Sequence, residues 1–594
     1  MVRTFVDCLH EQAARYGRTR WYAYVEDHRG VLTETGRVTY RELDGRALHL
    51  GSALTANDAT DRAVLLLYPA GPQFLTAFFG CLYARAIAVP APLPATDPRA
   101  LERAERIIHD ADVRLILTDA AHRDRIRRWL RATGLHHTVR CLATDAAHLP
   151  PPRPRTALPA VTPATTAYLQ YTSGSTSEPR GVVVSHGNLT HNSTQINELI
   201  RAPHEGTGAG WLPHYHDMGL VGQLLQPLYT GGNMVIASPL AFVVRPRLWL
   251  EMINRYRARA TMAPNFAYEW LLRSLRDDDL KDLDLSCLEW ALNGAEPVRP
   301  NTMRRLTELL EPRGLDPRVW APAYGMAEAT LLVTGTPRDA GSHLQRFDIA
   351  RLEHHHAVPA SGAHTTELAS SGRPVGNDVR IVDTTTRAPL PDGRVGEIWV
   401  ASASIAQGYW RSPEATRQTF HGRLADGSGP YLRTGDLGFS LKGELYVTGR
   451  LKEVIIVHGR NLYPHDIEEA ARHAHPAAGT AAAFGLQADG EHIVVIQEIR
   501  DQDLGALTES ELAQRVKKAV ARSTGVHPSV LLVPRNTIPR TTSGKIRRSH
   551  LKSLVLAGEA AIRHADTHPR VAAALTPQNP QGHITQPQPN GRTP

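Results

Sequence analysis

Residues 171–181 read YTSGSTSEPRG, a run of hydroxyls and glycines that lies between two apolar, β-prone segments. The preceding TAYLQYT and the following VVVSHGNL favour strands, so the pattern predicts a polar loop on a rigid support. Backbone N–H groups of such a loop can converge on an anion, while its hydroxyls add hydrogen bonds or contact Mg²⁺. The stretch therefore predicts a phosphate-binding loop. Taken alone, it is equally typical of a flexible Ser/Gly turn, and no Gly-Lys-Ser/Thr closes it as in P-loop NTPases.

The size and composition of the chain indicate a multidomain enzyme. A chain of 594 residues is too long to fold around a single hydrophobic core. Its content of 42% hydrophobic and 21% charged residues is ordinary for a folded protein. No apolar run approaches the roughly 20 residues that cross a bilayer, so we expect no transmembrane segment. The start, MVRTFVDCLHEQAARYG, contains acids and lacks an apolar core; we therefore expect no signal peptide and a cytoplasmic protein.

The net charge of +8 leaves nucleic-acid binding as an alternative function. However, the arginines are spread along the chain among 59 acidic residues, and no RNP, helix-turn-helix or zinc signature is found. The four cysteines are scattered and indicate neither a zinc site nor a disulfide framework. We therefore expect no nucleic-acid partner.

The order of predicted elements indicates an α/β fold. Residues 63–93 read as a buried strand, a helix and a second strand, and residues 102–119 repeat the helix-then-strand order, which predicts a mainly parallel sheet. Residues 379–400 predict two strands around a Pro/Gly turn, typical of an antiparallel or barrel-like subdomain. After residue 460, alternating helices and strands predict a small α+β domain. Residues 561–594, rich in Pro, Gln and Asn, predict a disordered tail.

Six further motifs follow the predicted phosphate loop in order: WLPHYHDMGL (211–220), LNGAEPV (292–298), AYGMAEATL (323–331), YLRTGDLG (431–438), YVTGRLKEVIIVHGRNLYPHDIEE (446–469) and PRTTSGKIRR (539–548). With them the chain resembles the adenylate-forming superfamily of acyl-CoA synthetases, adenylation domains and luciferases from about residue 5 to 555. In detail it is most similar to fatty acyl-AMP ligases. One departure is the end of the phosphate loop, where the superfamily favours Gly-x-Pro-Lys-Gly and this chain has Ser-Glu-Pro-Arg-Gly. Arg180 either replaces the missing lysine or points into solvent.

The resemblance implies ATP-dependent activation of a fatty acid to its acyl adenylate, with release of pyrophosphate. The acyl group would then pass to the phosphopantetheine thiol of an acyl carrier protein, either stand-alone or within a polyketide or nonribosomal peptide synthetase. Surface arginines could meet such an acidic partner. A fatty acid–CoA ligase with the same first half-reaction remains the alternative. ATP and Mg²⁺ are the implied cofactors.

The resemblance also implies the domain organisation of the adenylate-forming fold. A large N-terminal domain, residues 1–449, would contain two α/β subdomains and a β-barrel-like subdomain, with a family-specific insertion near residues 341–370. A hinge at residues 450–452, with Lys452 as the hinge residue, would lead to a small C-terminal domain, residues 453–560.

Most of the implied site residues would surround the nucleotide. The β- and γ-phosphates would be held by Thr172, Ser173, Gly174, Ser175 and Thr176. Glu328, together with Thr176, would bind Mg²⁺, which prefers carboxylate and phosphate oxygens. Adenine and the α-phosphate would be flanked by Gly294, Ala295, Glu296, Tyr324, Gly325, Met326 and Ala327. Asp436 would accept hydrogen bonds from the ribose hydroxyls, and Arg450 would contact the ribose or a phosphate. Without the resemblance, Glu328 is more typical of a helix N-terminal charge. The Thr-Gly-Asp that ends at Asp436 and the Gly-Arg that ends at Arg450 are then typical of common turns.

Two further residues would act on the fatty acid. The ammonium of Lys545 would bridge the fatty carboxylate and the α-phosphate, although a basic run of this kind is more often a solvated face. His216 matches the acyl-site histidine of the family and would shape the carboxylate end of the acyl tunnel. The run HYHD, residues 214–217, could by composition hold a metal, but no third ligand is identifiable.

Overall fold

The computed structural model describes residues 4–94, 98–145, 154–172, 179–201, 206–457, 460–488, 490–541 and 544–575. The chain divides into two compact units between Lys452 and Glu453. That division coincides with the residue for which we predict a hinge; the hinge itself remains a prediction.

The strands of the first unit are β1 Trp21–His28, β2 Val31–Thr39, β3 Ala63–Leu67, β4 Ile87–Ala91, β5 Leu115–Thr118, β6 Arg140–Ala143, β7 Thr166–Thr172, β8 Arg180–Ser185, β9 Thr207–Gly210, β10 Asn233–Ala237, β11 Ala260–Pro264, β12 Trp290–Gly294, β13 Trp320–Gly325, β14 Leu332–Gly335, β15 Leu344–Asp348, β16 Thr365–Ala369, β17 Arg373–Pro374, β18 Asp378–Val382, β19 Gly396–Ala401, β20 Leu432–Leu441 and β21 Glu444–Arg450. Those of the second unit are β22 Ile455–Val457, β23 Arg460–Leu462, β24 Ala478–Gln487, β25 Glu491–Ile499, β26 Ser529–Val533 and β27 His564–Asp566.

The α-helices of the first unit are α1 Phe5–Tyr16, α2 Tyr40–Ala56, α3 Pro72–Tyr83, α4 Pro98–Asp110, α5 Ala120–Ala132, α6 His186–Ile200, α7 Gln226–Thr230, α8 Pro239–Val244, α9 Arg247–Tyr256, α10 Asn265–Ser274, α11 Pro300–Leu310, α12 Ile349–Glu353 and α13 Pro413–Phe420. Those of the second unit are α14 Pro464–Arg472, α15 Glu509–Thr524, α16 Arg548–Leu556 and α17 Pro569–Leu575.

A six-stranded sheet, ordered β6-β5-β3-β4-β7-β8, carries the predicted phosphate loop. Its strands are parallel except for the pair β7–β8, which flanks that loop. β3 and β4 are buried along their whole length, as continuous apolar runs in a parallel sheet require. The predicted order of strand, helix and strand over residues 63–93 is confirmed.

A nine-stranded sheet, ordered β17-β14-β13-β12-β11-β9-β10-β1-β2, carries most of the remaining motifs. Its central strands β9 to β13 run parallel, so the carboxyl ends of β12 and β13 lie at one edge of the sheet. One continuous apolar core includes Phe74, Phe78 and Tyr168 of the six-stranded sheet region together with Leu220 and Met234 of the nine-stranded one. The two sheets therefore share a core, which fixes the loops at their ends.

The predicted change of architecture near residue 375 is confirmed. Strands β18 to β21 form a separate four-stranded sheet in which every neighbouring pair is antiparallel. Before it, β15 and β16 pair as an antiparallel hairpin within the stretch where we predict a family-specific insertion. Phe347 of this hairpin lies edge-on to Phe439 and Tyr446 of the four-stranded sheet, with ring centroids 5.1 and 5.3 Å away.

The second unit is the predicted α+β domain, but its end differs from the prediction. β24 and β25 pair antiparallel, β26 runs parallel to β25, and β27 adds an antiparallel edge strand. The prediction of a disordered tail is therefore wrong for residues 561–575, because β27 pairs with β26 and Val571 of α17 is fully buried. Asp566 is also ion-paired to Lys517, at 2.7 Å. The rest of the predicted tail, from residue 576, lies outside the described residues.

In the part of the chain that the structure describes, no helix is both long and apolar enough to span a bilayer. All four cysteines are free thiols. Cys8 and Cys81 are buried, whereas Cys141 and Cys287 are partly exposed.

Candidate functional site

The predicted phosphate loop leaves the six-stranded sheet between β7 and β8. Thr172 and Arg180 are register partners at its two ends, and Tyr171 and Gly181 form the next pair away from the loop. The residues predicted to hold the phosphates, Ser173, Gly174, Ser175 and Thr176, lie outside the described residues. Of that group Thr172 is described, and it is partly buried at the last position of β7.

Glu328 lies in a short turn that follows β13. The turn, Ala327–Ala329, is buried, and Glu328 itself is 9% exposed. Burial raises the pKa of its carboxyl above the ordinary value, and Tyr409, which donates its hydroxyl to Oε1 at 2.8 Å, acts against that rise. Arg450 also lowers the pKa, while Asp217 raises it. A buried carboxylate among charged groups is a donor of the kind that Mg²⁺ takes, so Glu328 fits the predicted ligand in chemistry.

The two glycine-containing turns at the ends of β12 and β13 let backbone segments approach closely. A Cβ on Gly294 would lie 2.8 Å from the carbonyl oxygen of Ala323, and a Cβ on Gly325 only 1.8 Å from that of Leu331. Ala295 adopts a φ of 65°, a left-handed conformation uncommon outside glycine. The following Glu296 accepts a hydrogen bond from the backbone N–H of Phe266. The structure thus brings the two predicted adenine segments to one edge of the sheet.

Asp436 joins this edge from the four-stranded sheet. Its Oδ2 accepts a hydrogen bond from the hydroxyl of Tyr324 at 2.8 Å, and its Oδ1 is 2.9 Å from Nε of Arg450. Burial and the nearby Asp436 carboxylate raise the pKa of Tyr324 well above its ordinary value, so this hydroxyl remains a donor at neutral pH. Asp436 therefore contacts both of the other predicted nucleotide residues, Tyr324 through one carboxylate oxygen and Arg450 through the other.

The two histidines of the HYHD run have different environments. His214 is buried against Phe74, with ring centroids 4.0 Å apart, and this burial lowers its pKa to about 3. His216 is half-buried and precedes a π-helix, Met218–Leu225, whose Leu220 N–H donates to the His216 carbonyl at 2.7 Å. His214 is thus a neutral packing residue, while His216 has the accessibility that the predicted acyl-site role requires. Among the described residues no cluster of His, Cys, Asp or Glu could hold a metal ion.

Lys545 lies in the second unit and is exposed. Its backbone N–H donates to Oγ1 of Thr541 at 3.1 Å, and its carbonyl accepts from the N–H of Thr541 at 2.8 Å. These bonds fix the backbone of the turn and leave the ammonium accessible. Its catalytic role remains a prediction.

Two contacts were not predicted from the sequence. Tyr409 bonds to Glu328, and the guanidinium of Arg180 lies over the Tyr409 ring, 5.4 Å from its centroid. The second is an ion cluster in which Arg548 pairs with the buried Glu468 and with the partly exposed Glu453. Neither pairing can be predicted from a short motif, because the partners lie far apart in sequence. Tyr409 and Glu328 are 81 residues apart, and Arg548 is 80 residues from Glu468 and 95 from Glu453.

Comparison with known proteins identifies the family. Residues 9–410 match the family described as AMP-binding enzyme, so the chain belongs to that family. The chain is 38% identical to the medium-chain-fatty-acid–[acyl-carrier-protein] ligase JamA of Moorena producens, over 93% of this chain and 95% of that protein. It is 36% identical to the long-chain-fatty-acid–AMP ligase FadD26 of Mycobacterium marinum, over 92% and 96% of the two chains.

A solved structure gives the same result. The fatty acyl-adenylate ligase from L. pneumophila, in complex with acyl adenylate and pyrophosphate, is 34% identical and superposes with a TM-score of 0.72 over 95% of this chain and 98% of that chain. The resemblance to fatty acyl-AMP ligases and the adenylate-forming fold predicted from the motifs are confirmed.

Proposed function

We propose that this chain activates a fatty acid with ATP and transfers the acyl group to the phosphopantetheine thiol of an acyl carrier protein. In the first step a carboxylate oxygen attacks the α-phosphorus, the bond from that phosphorus to the β-phosphate bridging oxygen breaks, and pyrophosphate leaves. In the second step the thiol sulfur attacks the acyl carbonyl carbon. AMP leaves with the electron pair of the broken C–O bond, and the thiol proton passes to solvent.

The observation that carries this proposal is the arrangement at the ends of β12 and β13. Asp436 contacts both Tyr324 and Arg450 there, and Glu328 follows Tyr324 by four residues. A carboxylate fixed by two donors suits the paired hydroxyls of a ribose, and glycine turns admit a flat base. In α/β sheets ligands bind at the carboxyl ends of parallel strands, which is where these residues lie.

Glu328, with Thr176, would hold Mg²⁺, which when bound neutralises charge on the phosphate oxygens. The phosphate loop would orient the β- and γ-phosphates through its backbone N–H groups. Lys545 would place its ammonium against the fatty carboxylate and the α-phosphate, where negative charge redistributes during the reaction. Removing one such donor costs about 10²- to 10³-fold in rate.

The first experiment is fatty-acid-dependent exchange of labelled pyrophosphate into ATP. We expect exchange with the wild-type chain and a loss of about 10²- to 10³-fold in Lys545→Ala. Lys518→Ala is the matched control, because Lys518 is an exposed lysine of the same unit. No fatty-acid-dependent exchange by the wild-type chain would overturn the proposal.

A second experiment separates the two candidate acceptors. Pyrophosphate exchange is common to a carrier-protein ligase and a CoA ligase, so the acceptor must be varied. The preformed acyl adenylate is offered CoA and a phosphopantetheinylated carrier protein in the same reaction. We expect thioester on the carrier protein; acyl-CoA as the main product would instead make the chain a fatty acid–CoA ligase.

A further inference from the structure

Tyr409 lies between the end of the phosphate loop and the candidate metal ligand. Its hydroxyl donates to Oε1 of Glu328 at 2.8 Å. On its ring face lies the guanidinium of Arg180, with Cζ 5.4 Å from the ring centroid. Arg180 is the first residue of β8 and pairs with Thr172 across the mouth of the loop. One tyrosine thus contacts both parts of the site that would handle the phosphates.

The backbone around Tyr409 is fixed on both sides. On the side of Glu328, the N–H of Ala406 donates to the Glu328 carbonyl at 2.9 Å. On the side of β8, the N–H of Val183 donates to the Gly408 carbonyl at 2.9 Å, and that of Trp410 donates to the Gly181 carbonyl at 2.7 Å. The segment from Ala406 to Trp410 therefore connects the turn of Glu328 to the strand that leaves the phosphate loop.

The ring of Tyr409 is held as firmly as its backbone. Phe420 packs edge-on against it, with centroids 5.2 Å apart. The preceding Gly408 has a φ of 136°, and a Cβ there would lie 2.5 Å from Cγ2 of Thr416. Oγ1 of Thr416 in turn accepts a hydrogen bond from the Tyr409 N–H at 3.0 Å. A tyrosine with a fixed backbone and a fixed ring can direct a carboxylate, because its hydroxyl has one defined position.

We propose that Tyr409 is a positioning residue that orients the Glu328 carboxylate for the metal–nucleotide complex and that Arg180 acts on Glu328 through the Tyr409 ring. This inference rests on the proposed function. It also gives a role to Arg180, which stands where the superfamily favours a lysine. The cation of Arg180 would polarise the phenol of Tyr409 and strengthen its hydrogen bond to Glu328. The phenol would limit the rotation of Glu328 while leaving Oε2 available as a ligand.

The test measures metal binding without catalysis. Mn²⁺ is titrated into the full-length protein with the non-reactive α,β-methylene analogue of ATP and no fatty acid, and free Mn²⁺ is measured by electron paramagnetic resonance. We expect Tyr409→Phe to raise the Mn²⁺ dissociation constant about tenfold, the effect of one hydrogen bond to a charged group. Arg180→Gln should raise it about two- to threefold, and in the Tyr409→Phe background it should have no further effect.

A matched control removes a similar hydrogen bond elsewhere. Tyr431 donates its hydroxyl to Oδ2 of Asp378 at 2.8 Å, so Tyr431→Phe loses a tyrosine–carboxylate bond outside the site. We expect it to bind Mn²⁺ like the wild type. Melting monitored by tryptophan fluorescence checks that Tyr409→Phe is folded. If it is not folded, Arg180→Gln is compared with Arg180→Lys, and we expect Arg180→Lys to retain Mn²⁺ binding.

The outcomes separate this inference from the proposed function. If the wild-type protein binds the metal–nucleotide pair and Tyr409→Phe binds it equally well, the positioning role is wrong and the proposed function stands. An equal weakening in Tyr409→Phe and Tyr431→Phe would also overturn the positioning role, because the effect would then be general. If the wild-type protein does not bind the pair at all, both the proposed function and this inference are wrong.

Discussion

Replacing Arg548 by methionine should destabilise the fold of the second unit without changing the stability of the first unit. The guanidinium forms two parallel bonds to Glu468, Nε to Oε1 at 2.6 Å and Nη2 to Oε2 at 2.8 Å, and Nη1 reaches Oε2 of Glu453 at 2.7 Å. Burial opposes the charge of Arg548, but the two glutamates outweigh it and raise the pKa of Arg548 above its ordinary value. The cluster joins α16, α14 and the first residue of the second unit.

The magnitude follows from the burial of Glu468. Its side chain is 4% exposed, and apart from Arg548 its Oε1 accepts the N–H of Ala483 at 3.0 Å. Arg548→Met therefore leaves a buried carboxylate without its counter-charge, a change that costs about 3–5 kcal/mol. Adding Glu468→Gln removes the uncompensated charge, so the double variant should be more stable than Arg548→Met alone.

The assay uses the distribution of tryptophans in the chain. All nine tryptophans precede residue 452, so tryptophan fluorescence reports the first unit. Hydrogen exchange of peptides from β24, β25 and β26, measured by mass spectrometry, reports the second. We expect exchange there to accelerate about 10²- to 10⁴-fold in Arg548→Met, with an unchanged fluorescence transition. Arg522→Met, at an exposed position of α15, is the control. Unchanged exchange in Arg548→Met, or no recovery in the double variant, would refute the reasoning.

Three further predictions concern the first unit. Asp436→Ala removes the acceptor of Tyr324 and Arg450 and should lower kcat/KM for ATP about 10- to 100-fold in steady-state exchange assays; an unchanged value would contradict the ribose assignment. Gly325→Ala places a Cβ 1.8 Å from the Leu331 carbonyl oxygen and should destabilise the unit by about 1–3 kcal/mol, whereas Gly45→Ala, with open space around its Cβ in α2, should be neutral or stabilising. Acid should destabilise the unit because burial lowers the pKa of His186 to about 4 and that of His214 to about 3. Below pH 6.5 the unfolded chain therefore binds more protons than the folded chain, and each histidine should lower the free energy of unfolding by about 2 kcal/mol between pH 7 and pH 5. Fluorescence-detected melting measures this loss, and a constant Tm over that range would contradict it.

Apolar patterning predicts much of the fold from the sequence. The runs at β3 and β4 are buried on both faces, so their composition alone indicates parallel strands around α3.

The wrong prediction of disorder at the end of the chain has a physical reason. Composition averaged over residues 561–594 is polar, but a three-residue strand needs only one free sheet edge, and a short helix needs only one buried side chain such as Val571. Sequence composition does not show that the edge of β26 is available.

The candidate site shows a second limit. Motifs locate turns, and the turn that holds Tyr324 and Glu328 was found because its residues are neighbours in sequence. The partners that orient those side chains come from later in the chain: Asp436 is 112 residues after Tyr324, and Tyr409 is 81 residues after Glu328. Both partners reach the turn from segments near the four-stranded sheet, whose own motifs, RTGDLG and VTGR, do not show that they lie beside this turn. The chemistry of the turn can therefore be predicted from residues that are neighbours in sequence. The orientation of its side chains depends instead on the packing of that sheet against the ends of β12 and β13. Substitutions that move this sheet should alter nucleotide affinity even where no motif residue changes.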